Sequence, residues 1–237
     1  MTLSDGRTVY FIVTCEHAYP DIPDSCVSLL STYVKEVETH RVFDPGALPV
    51  AEALAERLNA PLHKSRYTRL AIDLNRSLGA PEQFASPVAR ASEVLKSDLV
   101  HELYRPFRAE VEQSIARAIE SGSCVIHLSV HTFTKVYEGV RRAVDVGILF
   151  DRDRPEEAAV GKRWTRVIAK ILPDFVCRAN EPYDGASDGH TTALRRRFSS
   201  HDYLGFEIEL SQNLELEQDA ENWAKLLHAA LRKTIET

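Results

Sequence analysis

Three features of the sequence predict a three-layer α/β/α domain with a central mixed, mostly parallel sheet between helices. Apolar strand candidates alternate with long helical connections, a pattern that suits layered α/β packing. With 237 residues, 44% of them hydrophobic, the chain can bury a substantial core, and residues 1–237 are expected to form a single domain, with two domains as the alternative. At its centre, Cys124–Val130 and Val144–Phe150 have the length and branched-residue content of short buried strands.

In chain order, Val9–Cys15 reads as the first strand and ends in Glu16-His17. Ser25–His40 has helical apolar spacing and is expected to begin under Asp24 or Ser25, whose side chains accept from free backbone N–H groups. An abrupt switch through Val42–Gly46 leads to the alanine-rich helix Leu48–Leu58. Asp44 is left at the boundary, either to cap a helix or to direct a carboxylate into a site. Leu62–Lys64 is too short to assign to a strand, and Arg69–Leu74 has a firmer apolar centre. Arg66, Arg69, Asp73, Asn75 and Arg76 crowd polar groups around it, either as a self-paired solvated loop or as a binding region.

Val88–Glu120 is amphipathic, and Leu99, Leu103, Phe107, Val111 and Ile115 form one core-facing stripe. Pro106 lacks an N–H, so two helical segments or a kink are expected there. Pro155–Ile171 reads as a helix, Phe175–Cys177 as a short strand, Asn180–Gly189 as turns and Thr191–Ser200 as a helix. Leu204–Leu210 reads as a strand with Glu207 and Glu209 on one face. Asp219–Ile235 completes the chain as a helix, with Trp223 in packing.

The formal net charge of −6 argues against general duplex binding. Neither an 18-residue uncharged apolar run nor a basic segment followed by an apolar leader occurs, so membrane spanning and classical secretion are not expected. Cys15, Cys26, Cys124 and Cys177 lack zinc-ribbon spacing and suit free buried thiols in a cytoplasmic protein. Neither a nucleic-acid nor a membrane partner is expected, and the oligomeric state is not readable.

In open α/β sheets, ligands collect beyond the carboxyl ends of strands. His131 stands at such an end, and strand alternation puts His127 and Ser129 on its face. His127 by itself reads as a core histidine. Arg141, Arg142 and Asp145 lie close to the neighbouring strand. Two imidazoles and a carboxylate, from His17, Asp44 and His131, can hold zinc while leaving a position open for water. Such a metal makes water more acidic and polarises an acyl carbonyl. Glu209 is a candidate to exchange the proton. No HExxH motif fixes these groups locally.

The ordered segments are VTCEHA at Val13–Ala18, DPGA at Asp44–Ala47, SRYTRLAIDLNRS at Ser65–Ser77 and HLSVHTF at His127–Phe133. DVGILFD at Asp145–Asp151, EPYDG at Glu181–Gly185 and GFEIELSQN at Gly205–Asn213 follow. Together they span nearly the whole chain, which resembles the N-formylglutamate amidohydrolase family. The resemblance implies a zinc-peptidase-like fold and a metal-dependent amidohydrolase cleaving a non-ring amide C–N bond. Its expected substrate is a small acidic N-acyl amino acid such as N-formyl-L-glutamate, with formyl the favoured acyl group.

The resemblance also implies Zn2+ on His17, Asp44 and His131, and Glu209 as catalytic glutamate with Glu207 as the registration alternative. Arg69, Asn75 and Arg76 match its substrate region, and Arg142 precedes the DVGILFD segment. Peptide or cell-wall amide cleavage, phosphoester hydrolysis and noncatalytic ligand binding stay open as alternatives. Relatives often carry a small residue and Asn after EHA. Here Tyr19 and Pro20 follow it and are expected to reshape the acyl pocket.

Overall fold

The computed structural model describes residues 1–2, 6–37 and 39–236. Its main sheet is built from β1 (Val9–Cys15), β2 (Leu62–Lys64), β3 (Cys124–Phe133), β6 (Val146–Leu149), β7 (Cys177–Ala179) and β8 (Tyr203–Ser211), in the order β2-β1-β3-β8-β6-β7. All neighbours pair in parallel except β6 with β8. A small antiparallel hairpin, β4 (Val136–Tyr137) with β5 (Val140–Arg141), projects between β3 and β6. The layered, mostly parallel architecture read from the sequence is the one observed.

Alternation along the central strands separates two cores. Ile126, Leu128 and Val130 of β3, with Leu204, Phe206 and Ile208 of β8, pack into one cluster. That face is covered by α4 (Ala47–Leu58), α8 (Pro155–Ile171) and α10 (Ala220–Ile235). The opposite face is apolar only near the start of the strands, where Ile12, Val125 and Tyr203 meet Phe107, Val111 and Ile115. Farther along, the same face carries Thr14, His127, Ser129 and His131, all buried. This polar seam runs to the carboxyl ends of β1, β3 and β8, and it leads to the site.

Several local expectations need correction. Ser25–His40 is not one helix: a 3-10 turn at Asp24–Cys26 precedes α1 (Val27–Leu30), α2 (Tyr33–Glu36) and α3 (Thr39–Val42), while Glu38 in that span lies outside the described residues. Neither Asp24 nor Ser25 accepts a capping hydrogen bond there: the N-cap positions fall to Pro23 and Cys26, with no side-chain cap. Leu62–Lys64, too short to assign from sequence, is a strand because β1 offers it a parallel edge. Arg69–Leu74 forms turns instead, its apolar residues serving the second core. Phe175–Cys177 is displaced to Cys177–Ala179, and Thr191–Ser200 contracts to α9 (His190–Arg195).

Val88–Glu120 resolves the proline differently from a simple break. After α5 (Ser86–Ala89) come α6 (Glu93–Leu99), a π-helical turn at Val100–Tyr104, and α7 (Arg105–Glu120). Pro106 falls in the first turn of α7, and Arg105 N–H reaches back to Val100 O, so the chain stays helical up to the residue before the proline, and the missing N–H falls in a first turn, where it is best tolerated. The apolar stripe also benefits. A four-residue repeat overshoots an α-helical turn by about 40° at each step, and the wider turn offsets part of that drift. Leu99, Phe107, Val111 and Ile115 are all buried. No helix among the described residues is long and apolar enough to cross a membrane.

Candidate metal centre

His17 leaves the end of β1, and its carbonyl accepts from Asp44 N–H at 3.0 Å, so the two segments are joined through their backbones. Gly46 makes this junction possible. Its φ of +82° starts α4 in the left-handed region, and a Cβ there would stand 2.7 Å from Leu216 Cβ. The Asp44 side chain therefore turns into the site; it does not cap the helix. Asp44 Oδ2 lies 3.2 Å from His17 Nδ1 and 2.9 Å from His131 Nδ1. The two imidazole centroids are 4.9 Å apart.

One atom from each of His17, Asp44 and His131 falls within 4.8 Å of the others. Ligands held at 2.0–2.1 Å on a tetrahedral centre stand about 3.3 Å from each other, close to the two separations onto Asp44. The outer nitrogens are engaged as well. His17 Nε2 meets Asp73 Oδ1 at 2.8 Å, and His131 Nε2 meets Ser129 Oγ at 2.9 Å. Such outer contacts leave the inner nitrogens directed at a common point. The donor set fits a divalent metal of the zinc type.

Electrostatics reinforce that fit. Burial opposes ionisation of Asp44, but its contacts with His17 and His131 hold it well below the usual carboxylate range. Burial likewise works against Asp73, where Arg69 and then His17 lower it strongly, and against Glu16, where His190 and His131 do so. Burial disfavours charge on His131, yet the hydrogen bond and charge of Asp44, with Glu16 and Glu209, raise it to about 10. Three buried carboxylates, Asp44, Asp73 and Glu16, thus crowd three imidazoles and the guanidinium of Arg69, and with the imidazoles neutral, as ligation requires, the negative charge is in excess. Unpaired buried charge is costly, and a divalent cation would offset it.

Glu209 lies opposite His131 in the β3–β8 register, and Glu207 lies opposite Ser129. Their surroundings differ. Glu207 Oε1 accepts from Thr191 Oγ1 at 2.6 Å, whereas Glu209 Oε2 is buried with no hydrogen-bond partner among the described residues. Burial pushes the Glu209 carboxyl up to about 8; the charge of His131 opposes that shift and those of Asp44 and Glu207 add to it.

A cavity of 710 Å³ opens over the cluster, and His17, Asp44, His131, Glu207 and Glu209 are on its wall together with Arg69, Asn75, Arg76 and Arg142. Arg69 is committed to Asp73, with Nε and Nη2 at 3.1 and 2.7 Å from Oδ2, and stands 3.6 Å from Asp44. Arg76 reaches Glu82 and the carbonyls of Asn75 and Asp188. Arg142 is held between the rings of Phe133, Tyr137 and Tyr183, at 5.5, 4.9 and 5.0 Å. Of its N–H groups, Nη1 donates to Thr134 O at 3.3 Å. Asn75 Oδ1 accepts from His190 N–H at 2.6 Å, placing Nδ2 3.3 Å from His131 Nε2.

Other sequence candidates fall elsewhere. His127 is a core histidine, bonded to Thr14 Oγ1 at 2.9 Å and Tyr203 OH at 2.8 Å. Asp145 pairs with Lys135 at 2.5 Å. Tyr19 packs on the α4 side of the sheet, and neither it nor Pro20 is among the described residues lining the cavity, which corrects the expectation that they reshape the pocket. Conversely, Glu16, Tyr183 and His190 surround the site with no role read from the sequence, and Asp73, read there only within a self-paired loop or binding region, holds His17. Glu16 and Asp73 are legible as acids inside the EHA and DLN segments; Tyr183 and His190 carry no spacing signal, because turns bring them in.

A family model described as N-formylglutamate amidohydrolase matches residues 9–215. A crystal structure of a gene product of Agrobacterium tumefaciens is 30% identical, with a TM-score of 0.81 over 95% of this chain and 90% of that one. The crystal structure of N-formylglutamate amidohydrolase from Ralstonia eutropha is 18% identical, with a TM-score of 0.66 over 99% and 94% of the two chains, and shares the fold. No curated protein sequence matches.

Proposed function

This chain belongs to the N-formylglutamate amidohydrolase family and is a metal-dependent amidohydrolase, and we propose that it removes a small acyl group, formyl first, from an acidic N-acyl amino acid such as N-formyl-L-glutamate. The observation that carries this reading is the His17–Asp44–His131 donor set beneath the unpartnered carboxyl oxygen of Glu209. We take residues 1–237 as a single catalytic domain. The four buried free thiols support a cytoplasmic setting.

His17, Asp44 and His131 would hold the metal, with zinc best suited to two nitrogens and a carboxylate oxygen. Zinc in that position supplies a more acidic water and polarises the acyl carbonyl. Glu209 takes the proton from water at Oε2 and passes it to the leaving nitrogen. An affinity for protons near neutrality suits a group that must first accept and then donate. Arg142 keeps unspent N–H donors in an aromatic setting, and a guanidinium matches a carboxylate in a bidentate manner. Arg69 and Arg76, which line the same cavity, add positive potential, and Asn75 supports His131.

A longer peptide or cell-wall amide is the second reading, favoured by a cavity whose 710 Å³ exceeds the needs of a formyl amino acid. The test is a hydrolysis screen under controlled metal content, detecting released acyl acid and free amino acid from formyl, acetyl and peptide substrates. Zinc-dependent turnover of N-formyl-L-glutamate is expected. Zinc-dependent cleavage of a cell-wall amide or a phosphoester, with none of any N-formyl amino acid, would replace the substrate assignment.

A further inference from the structure

Behind His131 lies a chain of buried groups that the hydrolytic reading does not use. Ser129 Oγ stands 2.8 Å from Glu16 Oε2 and 2.9 Å from His131 Nε2. The other oxygen of Glu16 meets His190 Nδ1 at 2.9 Å. All of these side chains are buried, and Glu16, Ser129 and His190 are fully so.

Two side chains reach His131 Nε2, Ser129 Oγ at 2.9 Å and the amide Nδ2 of Asn75 at 3.3 Å, and the nearer contact, the hydroxyl, sets the ring. A hydroxyl has one proton to donate and lone pairs to accept with. Ser129 gives its proton to the Glu16 carboxylate, so only its lone pairs face His131. Its contact with the ring is then a hydrogen bond only if His131 Nε2 carries a hydrogen. That leaves Nδ1, the nitrogen 2.9 Å from Asp44 Oδ2, as the one able to present a lone pair to a metal. On the other ligand, Asp73 accepts from His17 Nε2 directly at 2.8 Å. The same task is done at His131 through one intervening hydroxyl.

We propose that Glu16 and Ser129 are positioning residues that fix His131 as the Nε2–H tautomer, so that Nδ1 faces the metal, with His190 anchoring Glu16 from α9. This rests on the metal site proposed above. Outer contacts of this kind change metal affinity by 10–100-fold, and the link through α9 makes His131 sensitive to a segment that does not touch the metal position.

The experiment uses full-length protein with 15N-labelled histidine, loaded with zinc. Long-range 1H–15N spectra report which His131 nitrogen carries hydrogen, and competition with a chromophoric chelator reports zinc affinity. Wild type should show His131 protonated at Nε2 and bound through Nδ1. Ser129→Ala should bind zinc 10–100-fold more weakly and lose the single-tautomer signature. Glu16→Gln preserves side-chain shape and carries the same test if Ser129→Ala does not fold; it should shift both readouts in the same direction. Zinc bound to His131 through Nε2 in wild type would overturn the positioning role and leave the metal site standing, as would variants matching wild type in affinity and tautomer. A wild-type protein whose zinc perturbs neither His17 nor His131 would overturn both.

Discussion

The two carboxylates of β8 show how much a residue's neighbours decide. Glu207 and Glu209 share a strand face, but Glu207 is spent on Thr191 while Glu209 Oε2 is buried and unpartnered. Glu209→Gln should therefore lower kcat by about 10²–10⁴-fold, the usual range for a positioned acid–base group, with zinc content retained. Glu207→Gln should act mainly through α9 and cost far less. Steady-state kinetics with metal analysis on both variants decide the matter, and the reverse ranking would exchange the roles. Alternation made the pair legible in the sequence, since residues two apart must share a face, but it contains nothing to separate them. His17, Asp44 and His131 are 27 and 87 residues from one another along the Asp44 contacts, and no local spacing encodes a meeting of that kind. Their grouping was readable only through resemblance across ordered motifs. Asp73 and His190 escaped because their roles depend on turns whose geometry is set by tertiary packing.

Elements were legible where one local signal dominated. Pro155–Ile171 has a proline start and a long apolar stripe, and α8 has those same bounds. Ser25–His40 has the apolar spacing without the capping, and it fragments. The 180s loop was recognised as turns, but its location depends on close approach to β6. A Cβ on Gly147 would lie 1.9 Å from Glu181 O and 3.2 Å from Glu209 Cβ. The missing side chain lets the loop carrying Tyr183 and leading to His190 close over the strand. Gly147→Ala must displace that backbone, and overpacking of this kind costs about 1–3 kcal/mol. A lower thermal midpoint, joined to at least a tenfold loss of kcat/KM on N-formyl-L-glutamate, is expected. Wild-type values for both would show that the loop tolerates displacement and does not position the site.

At the scale of the whole molecule, one sheet face is sealed by apolar packing while the other carries a polar seam into the cavity, and this asymmetry has a pH signature. Burial, with the charge of His190 nearby, depresses His127 to about 3; burial, with Arg108, depresses His190 to about 4. An unfolded histidine binds its proton near pH 6.5. Below that value the unfolded chain takes up protons that the folded chain refuses, so the stability from these two groups is present above pH 6.5 and is lost as pH falls toward 4 and 3. Glu209 acts oppositely: raised to about 8, it contributes fully below its ordinary value near 4.5 and loses that contribution as pH rises through 8. His131, raised to about 10, contributes fully below pH 6.5 and is lost only toward 10. Asp44, Asp73 and Glu16 are depressed, so their losses begin below the ordinary carboxylate range. Between pH 6 and 4.5, three depressed histidines, with His228 the third, therefore outweigh two raised carboxyls, Glu209 and the buried Glu157. Each unpaired proton changes stability by about 1.4 kcal/mol per pH unit. Metal-free protein should become less stable on acidification across this window. His127→Gln, whose amide can still bridge Thr14 and Tyr203, removes one of the histidine protons, and its loss over the same 1.5 units should be smaller by about 2 kcal/mol. Urea denaturation of both proteins at pH 6.0 and 4.5 measures that difference. Equal losses would mean that His127 already accepts a proton in the folded seam, and that acid sensitivity resides in the carboxylates around the metal centre.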